Sequence, residues 1–459
     1  MKDSSLPSSW RIASLEDCVL ILDSMRVPVN NTERVARIEG KNASKLYPYY
    51  GATGRVGLID EYIFDDDLVA LGEDGVPFLD PTKAKAYSLR GKTWVNNHAH
   101  VLKALEGLTT NTYIRHYLNA FDYQGYVNGA TRLKLTQANM RRIPIPLASL
   151  DEQKQIANKL DELLAQVDSI KTRLDAIPTI LKRFRQSVLA AAVSGGLTED
   201  WRGKVAKSWK SYAIGDIAIV LNGKAFPSKE YADNGIRLLR PGNLHVTGKV
   251  VWTDKNSTFL PEVWAERRPE LLLTAGALLM NLTAQSLKDE FLGRVCVLGQ
   301  SSEPVLLNQR IASFESRLDY DITPYLYVYF KSPLFREFVD TLDSGTLIKH
   351  MSTNDVLNHR ITLPDSAEQT EIVRRVKHLF TFADQIEQRL TEAQTRINQL
   401  TQSILAKAFH GALTADWREQ HPELISGEHS AEALLAQIQA ARAKLETNKR
   451  ARRKKVAST

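Results

Sequence analysis

Few residues of this chain have the types and spacing that chemistry on a substrate requires. The E-x-K motif at residues 152 to 154 has a form found in nucleases, and His98 and His100 could be two ligands of a metal ion. The related stretch at Glu368 replaces the lysine with threonine, and a helix cap explains both glutamates. No third metal ligand accompanies the histidines, so we interpret them as a structural pair at a strand end.

Nucleotide-binding and methyl-transfer motifs are also missing. The turn from Gly51 to Gly54 has too few glycines for a phosphate cradle. Gly223-Lys224 lacks the preceding glycine and the following Ser or Thr of a P-loop, and no Pro-Pro-Tyr or Pro-Pro-Phe motif of an adenine methyltransferase occurs. The sequence therefore predicts a non-catalytic chain with no catalytic, cofactor-binding or metal-binding residues.

Polar side chains suited to reading bases occur in loops that are rich in glycine, proline and aromatic residues. Arg, Lys, Asn, Gln and Thr can hydrogen-bond to base edges in a groove, and a neighbouring glycine permits close approach. Each such residue could instead be a solvated loop or turn residue that bonds its own backbone. The candidate DNA-binding residues are Tyr49, Tyr50, Thr53, Arg55, Arg132 and Lys134, followed by Arg237, Arg240, Asn243, His245, Asn281, Thr283, Lys349 and His350.

Two long helical segments must position these loops. QSVLAAAVSGGLTEDWR at 186 to 202 recurs as QSILAKAFHGALTADWR at 402 to 418, an offset of 216 residues (418 minus 202). Apolar residues step by 4 and 3 through both segments, which is the heptad seam of a coiled coil. We expect the two rods to bury these seams on each other as an antiparallel coiled coil. The seam residues are Ile156, Leu160, Leu163, Val167, Ile170 and Leu174 in the first copy, and Ile372, Val376, Leu379, Ile386 and Leu390 in the second.

The ends of both rods carry matching signals. Ser149 with Glu152, and Asp365 with Glu368, predict a capping box, in which each side chain satisfies a free backbone N–H. Gly195 and Gly411 predict left-handed C-caps. Pro178 interrupts only the first copy, and it predicts a kink or a broken turn near Ile177.

The segments before the rods are related more faintly. SSWRIASLED at 8 to 17 resembles KSWKSYAIGD at 207 to 216, and RRIPIP at 141 to 146 resembles HRITLP at 359 to 364. Between these borders, short β-branched runs and turn residues predict two mixed α/β globules. The predicted fold class is α+β, a tandem repeat with pseudo-twofold symmetry. The predicted parts are globules at 1–148 and 207–364, a first helical spacer with a linker at 149–206, a second helical spacer with a C-terminal helix at 365–445, and a disordered basic tail at 446–459.

Composition limits the class of protein. The chain has 459 residues, 43% of them apolar and 25% charged, with no apolar run of 18 residues and no apolar leader, so we expect a cytoplasmic protein of several domains. Cys18 and Cys296 are isolated, and we expect them to be reduced and structural. The tail holds six Lys or Arg and one Glu, and so supplies +5 of the net charge of +7. Any contact with nucleic acid outside the tail must therefore depend on local basic patches or on a charged partner.

The repeated motifs FRQSVL/LTQSIL and GLTEDWR/ALTADWR, with LLAQVDS and EIVRRV, resemble the specificity subunit of type I restriction-modification enzymes. The stretch from 365 to about 445 is most similar to the K-type (IA) branch. The resemblance implies two target-recognition domains that read the two different half-sites of a gapped, asymmetric site in double-stranded DNA. It also implies two methyltransferase subunits and two restriction-translocase subunits as partners, which would hold the S-adenosylmethionine, ATP and Mg²⁺.

The alternative is a DNA-binding scaffold or regulator that has no partner enzymes.

Overall fold

The computed structural model describes residues 6–203, 209–285, 290–300, 303–342 and 349–457; of residues 445–457 only the backbone is described. The chain divides into two compact units. The first unit combines Met1–Asp175 with Thr391–Thr459, and the second unit is the continuous stretch Ala176–Leu390. Each unit therefore contains one globule and one half of each predicted rod.

The first globule is built from two four-stranded sheets. The strand order is β2-β9-β6-β7 in one sheet and β4-β3-β8-β5 in the other, while β1 and β10 form a separate antiparallel pair. The strands are β1 Arg11–Ser14, β2 Val19–Ile21, β3 Tyr47–Gly51, β4 Gly54–Ile59, β5 Phe64–Asp65, β6 Leu68–Gly72, β7 Ala86–Leu89, β8 Lys92–Val95, β9 Ala99–Ala104 and β10 Pro144–Leu147. The helices are α1 Leu15–Cys18, α2 Asn31–Ile38, α3 Asn111–Ala120 and α4 Gln137–Arg141.

The second globule repeats this topology with a different sequence. Its sheets have the orders β12-β20-β16-β18 and β14-β13-β19-β15, and β11 pairs with β22. The strands are β11 Lys210–Ala213, β12 Ala218–Asn222, β13 Ile236–Leu239, β14 Phe259–Leu260, β15 Leu272–Leu273, β16 Leu278–Asn281, β17 Thr283–Ala284, β18 Val295–Val297, β19 Val305–Leu307, β20 Ile311–Ser316, β21 Lys349–His350 and β22 Arg360–Leu363. The helices are α7 Ile214–Ile217, α8 Val263–Arg267, α9 Thr323–Phe330, α10 Pro333–Thr341 and α11 Thr353–Asn358.

Strand pairing shows how closely the two globules correspond. In each globule one sheet contains a single parallel pair, β3 with β8 in the first and β13 with β19 in the second, among antiparallel neighbours. The central strands β6 and β16 are buried along their whole length, so both of their faces are covered. The related borders found in the sequence form the β1–β10 and β11–β22 pairs. The two globules are therefore copies of one fold.

Each predicted rod is one long helix, α5 Leu150–Ser194 and α12 Ser366–Phe409. Inside the first unit the amide of Gln394 bonds Asp175, and Lys159 bonds the carbonyl of Leu413; this pairing requires antiparallel helices. Inside the second unit Arg185 contacts Asp384, and Asp200, just after α5, contacts Arg375, again in antiparallel order. In each unit the rods thus pair in the expected direction.

The structure corrects two details of the rods. The helix continues through Pro178, although proline donates no backbone hydrogen bond, so of the predicted kink or broken turn the broken turn is excluded. The seam is also less uniform than predicted, because Ile156 and Leu160 are fully buried while Ile170 is 46% exposed. The ends of the rods are covered by a globule as well as by the partner helix, and Ile170 lies beyond that cover.

The rod ends confirm half of the predicted capping box. Ser149 Oγ accepts the backbone N–H of Glu152 at 3.2 Å, and Asp365 Oδ1 accepts that of Glu368 at 2.8 Å. Gly195 (φ 85°) and Gly411 (φ 79°) adopt the predicted left-handed conformation. The second half of the prediction is wrong, because the carboxylates of Glu152 and Glu368 bond other parts of their units.

Two short helices and one long helix follow the rods. They are α6 Glu199–Arg202, α13 Ala415–Gln420 and α14 Ala431–Ala457. The apolar face of α14, with Ala431, Leu434 and Ile438 buried, packs onto the first unit. The tail predicted to be disordered is helical as far as Ala457, because alanine, arginine and lysine are good helix formers and extend a helix that has already begun.

Cys18 and Cys296 are free and buried, as expected, and burial raises the pKa of each thiol to about 12. Within the part of the chain that the structure describes, no helix is long and apolar enough to cross a membrane.

Candidate nucleic-acid interface

A buried glutamate joins the parts of the first unit. Glu152, at the start of α5, is fully buried and accepts Trp10 Nε1 at 2.9 Å and Thr414 Oγ1 at 2.7 Å. It also forms an ion pair with Arg418, whose other guanidinium nitrogen donates to the carbonyl of Gly411. The carboxylate therefore ties the start of the globule, the start of α5 and the end of α12 together.

The second unit contains the same cluster. Glu368, at the start of α12, accepts Trp209 Nε1 at 2.9 Å and Thr198 Oγ1 at 2.6 Å, and it pairs with Arg202. Arg202 in turn donates to the carbonyl of Gly195. Both rods therefore begin at a buried carboxylate that is held by the closing segment of the other rod.

We call these two clusters the clamps. They explain why the segment T-x-D-W-R is written twice: its threonine and its arginine are the clamp ligands in both copies. The E-x-K motif has a structural explanation, because its glutamate is fully engaged by Trp10, Thr414 and Arg418. Sequence reasoning had found the repeat without finding what its polar residues bind.

Two of the predicted basic residues of the first globule meet a carboxylate pair. Arg132 contacts Asp74 at 3.0 Å, and Lys134 contacts Glu73 at 3.2 Å. A backbone bridge pairs Asp74 with Lys134, and His98 Nδ1 lies 2.9 Å from the same Asp74. We call these five residues the first patch. Arg132 and Lys134 are exposed, so the patch presents cations to solvent while carboxylates hold them in place.

A buried hydrogen-bonded pair lies beside the first patch. His100 Nδ1 is 2.7 Å from Asp23 Oδ2, and His100 Nε2 is 3.0 Å from the carbonyl oxygen of Leu135. Burial alone would raise the pKa of Asp23, but hydrogen bonds from His100, Val101 and Gln137 hold it below its usual value. His100 is thus a structural residue, as interpreted from the sequence. Among the described residues, no three His, Cys, Asp or Glu side chains are arranged as a metal site requires.

The second globule has an open pocket in the equivalent position. Strand β17 pairs with β21 so that Thr283 lies opposite His350, just as Asp74 lies opposite Lys134. The pocket has a volume of about 400 Å³ and contains two of the predicted residues, Thr283 and His350. Its other lining residues are Asn222, Leu282, Gln309, Met351, Ser352 and Thr353. We call it the second patch.

Sequence reasoning missed the polar amides and hydroxyls of the second patch. Asn222 ends β12, Gln309 precedes β20, and Ser352 caps α11, so three distant segments meet there. The available signal was position: each of these residues lies at the end of a strand or the start of a helix. Lys349, which was predicted, belongs to β21 beside His350.

Three predicted DNA-contacting residues are wrong because they are buried. Tyr49 donates its hydroxyl to the carbonyl of Val29, inside a small aromatic core. The amide of Asn243 bonds its own loop, accepting the N–H of Arg240 and donating to Val251. Asn281 donates to the carbonyls of Thr283 and Phe291. Their polar groups hold loops in shape and cannot reach a base.

The remaining predicted residues vary in exposure. Tyr50 stacks on Tyr87, and Arg237 lies over the rings of Trp252 and Phe259, so all three aromatic contacts are internal. The exposed residues of this group lie on the β3–β4 hairpin and in the loops after β13, and they line neither patch; they are Thr53, Arg55, Arg240 and His245.

Two copies of one domain account for most of the chain. A family model described as "Type I restriction modification DNA specificity domain" matches residues 21–179 and 206–395, which cover most of each globule and the first part of the rod that follows it.

This chain belongs to the family of type I restriction-modification specificity subunits. It is 39% identical to the EcoKI specificity subunit of Escherichia coli (strain K12) over 358 residues, which are 76% of this chain and 75% of that one. It is 30% identical to the EcoDI specificity subunit of Escherichia coli over 482 aligned positions, covering 99% of this chain and 100% of that one. The similarity to EcoKI agrees with the K-type resemblance found in the sequence.

Solved structures support the fold. A chain from a study of the "structural basis underlying complex assembly and conformational transition of the type I R-M system" aligns with a TM-score of 0.64 at 15% identity, covering 89% of this chain and 99% of that chain. The HsdS subunit from Thermoanaerobacter tengcongensis aligns with a TM-score of 0.52 at 16% identity, covering 89% of this chain and 98% of that one. At these identities the likeness concerns the fold alone.

Proposed function

We propose that this chain is the DNA-recognition subunit of a type I restriction-modification enzyme and binds an asymmetric, bipartite site through its two globules. The observation that carries this proposal is the pair of patches. The same bridge position holds Asp74 and Lys134 in one globule and Thr283 and His350 in the other. Two readers of one fold with different side chains suit two half-sites of different sequence.

Membership of the family, together with the clamps, supports this role over the scaffold alternative. Each clamp fixes a globule to the ends of both long helices, so the patches sit on rigid supports, as specific readout requires. The chain outside its tail is almost neutral, since the tail supplies +5 of +7. Partner subunits that contact phosphates would supply the rest of the free energy of DNA binding.

The proposed partners are two methyltransferase subunits and two restriction-translocase subunits. They would bind S-adenosylmethionine, ATP and Mg²⁺, while this chain supplies sequence recognition. We expect the purified chain to show no methylation, ATP hydrolysis or cleavage, and to confer a target sequence on a methyltransferase partner. Binding of S-adenosylmethionine by the isolated chain, measured by calorimetry, would contradict this division of roles.

Exchange of one globule tests the bipartite role. Residues 207 to 364 are replaced by the equivalent globule of a relative, with borders that leave Glu152, Glu368 and both long helices unchanged. The methylated sites of a host that carries the complex are then mapped by sequencing. We expect one half of the recognised sequence to change and the other to remain. A change of both halves together would refute independent reading by the two globules.

A further inference from the structure

The second patch is held rigid by backbone hydrogen bonds. The N–H of Gln309 donates to the carbonyl of Lys224 at 3.0 Å, and the N–H of Lys224 donates to the carbonyl of Leu307 at 3.1 Å. Gly223 lets these segments approach, because a Cβ there would lie 2.1 Å from the carbonyl oxygen of Asn308. The backbone of Gln309 is therefore fixed before any ligand arrives.

The opposite wall of the second patch is fixed in the same way. The N–H of Met351 donates to the carbonyl of Leu282 at 3.0 Å, extending the β17–β21 pairing. Ser352 caps α11, where its hydroxyl accepts the N–H of Asp355 at 3.1 Å and donates to Asp355 Oδ2 at 2.7 Å. A prearranged wall lowers the conformational cost of binding and favours a ligand of defined shape.

Charge selects the chemical class of the ligand. Among the residues that the structure describes, those that line the pocket include no Lys, Arg, Asp or Glu. Phosphate groups are bound most strongly by cationic side chains, and cationic ligands are bound most strongly by carboxylates. A neutral, flat group with several hydrogen-bonding atoms fits this lining, and a base pair presents such an edge in the major groove.

The side chains present select among the base pairs. Guanine is read most often by Arg or Lys and cytosine by Asp or Glu, and the described residues that line the pocket include none of these. Adenine is read by the amide of Asn or Gln, and the methyl group of thymine packs against apolar groups such as a threonine methyl. Gln309 is exposed, and Thr283 and Thr353, each of which carries a methyl group, line the same pocket. The amide of Asn222 is directed towards Thr353 Oγ1, 3.5 Å away, so Gln309 is the freer reader.

We infer that the second patch receives the major-groove edge of an A·T base pair, and that the amide of Gln309 bonds N6 and N7 of the adenine. This inference rests on the proposed function and makes it specific. It assigns one position of one half-site to one side chain.

The test is a pair of substitutions at Gln309. Full-length Gln309→Ala and Gln309→Glu chains are assembled with the methyltransferase partner, and duplexes bound from a randomised library are sequenced. For Gln309→Ala we expect one A·T position to lose preference by about 5- to 150-fold, in the half-site that exchange of residues 207 to 364 alters. For Gln309→Glu we expect the preference at that position to move towards C·G, because a carboxylate accepts from cytosine N4.

Gln300→Ala is the matched control, since Gln300 is an exposed glutamine of the same globule outside the pocket. It should leave every position unchanged. The inference is overturned if the position relaxed by Gln309→Ala is G·C, if it lies in the other half-site, or if no position changes. The proposed function is tested separately by the unsubstituted complex, which should select a bipartite sequence from the library. It is contradicted if the unsubstituted complex selects no such sequence.

Discussion

The two units are nearly identical at their clamps and entirely different at their patches. Each clamp consists of a glutamate with a tryptophan, a threonine and an arginine, and its Trp–Glu distance is 2.9 Å in both units. At the patches, cations and carboxylates occupy one globule, and neutral amides and hydroxyls occupy the other. The comparison teaches that fold and assembly depend on a few buried polar residues, which leaves the surface side chains free to differ.

Removal of either clamp carboxylate should have the largest effect and should affect the two units alike. Glu152→Ala leaves Arg418 without its buried partner, and Glu368→Ala does the same to Arg202. We expect each substitution to lower the free energy of unfolding by about 3–5 kcal/mol. Chemical denaturation measures the loss, with Glu162→Ala, an exposed position of α5, as the control.

A clamp substitution that costs no more than Glu162→Ala would show that the carboxylates are not structural. A large loss at only one of the two glutamates would break the equivalence of the units.

Core truncation along α5 should separate the two parts of the seam. Leu160 is fully buried, so Leu160→Ala should cost about 2–5 kcal/mol, whereas Ile170 is 46% exposed and Ile170→Ala should cost clearly less. Thermal unfolding of both variants shows which substitution destabilises the chain more. Equal losses would indicate a seam that is buried evenly, as the heptad pattern alone predicted.

Substitution in the first patch should change recognition in one half-site only. Arg132 is exposed and paired with Asp74, and we expect Arg132→Ala to cost about 1–3 kcal/mol in binding to the preferred site. The affected positions should lie in the half-site that survives exchange of residues 207 to 364. Library selection on the assembled complex measures this. Arg142→Ala, at the end of α4, is a control outside the patch.

The smallest effect concerns pH and the buried Asp23–His100 pair beside the first patch. The pKa of Asp23 is lowered in the folded chain, so its stabilising contribution is present above its unfolded pKa, near 4, and declines as the pH falls through the lower folded pKa. We therefore expect the difference in unfolding free energy between the natural chain and Asp23→Asn to shrink from pH 5 to pH 3. Urea denaturation at both values measures it, and a constant difference would contradict it.

The sequence predicted the features that depend on neighbouring residues. Heptad spacing located α5 and α12, and Gly195 and Gly411 marked their ends, because each signal is local. The sheet orders could not be predicted, since the β3–β8 and β13–β19 pairs join strands that are far apart in the chain. The sequence also did not reveal that the two globules share one topology, because different side chains can fill the same core.

The candidate site could be predicted only in part. Asn243 and Asn281 have the type and the loop position of base readers, yet their amides bond nearby backbone, a choice that composition does not reveal. Gln309 and Asn222 stand out only when distant strand ends meet in the fold. Thr283 and His350 were identified separately in the sequence, and the β17–β21 pairing brings them together.

The make-up of the two units sets the order in which they can be completed during synthesis. The second unit is continuous, and Glu368 finds Thr198 among residues made 170 positions earlier. Glu152 must wait for Thr414, which is made 262 positions later. At about 5–20 residues per second, this wait lasts roughly 13–50 s. The first globule therefore leaves the ribosome first, but its clamp can close only after all residues of the second unit have been made.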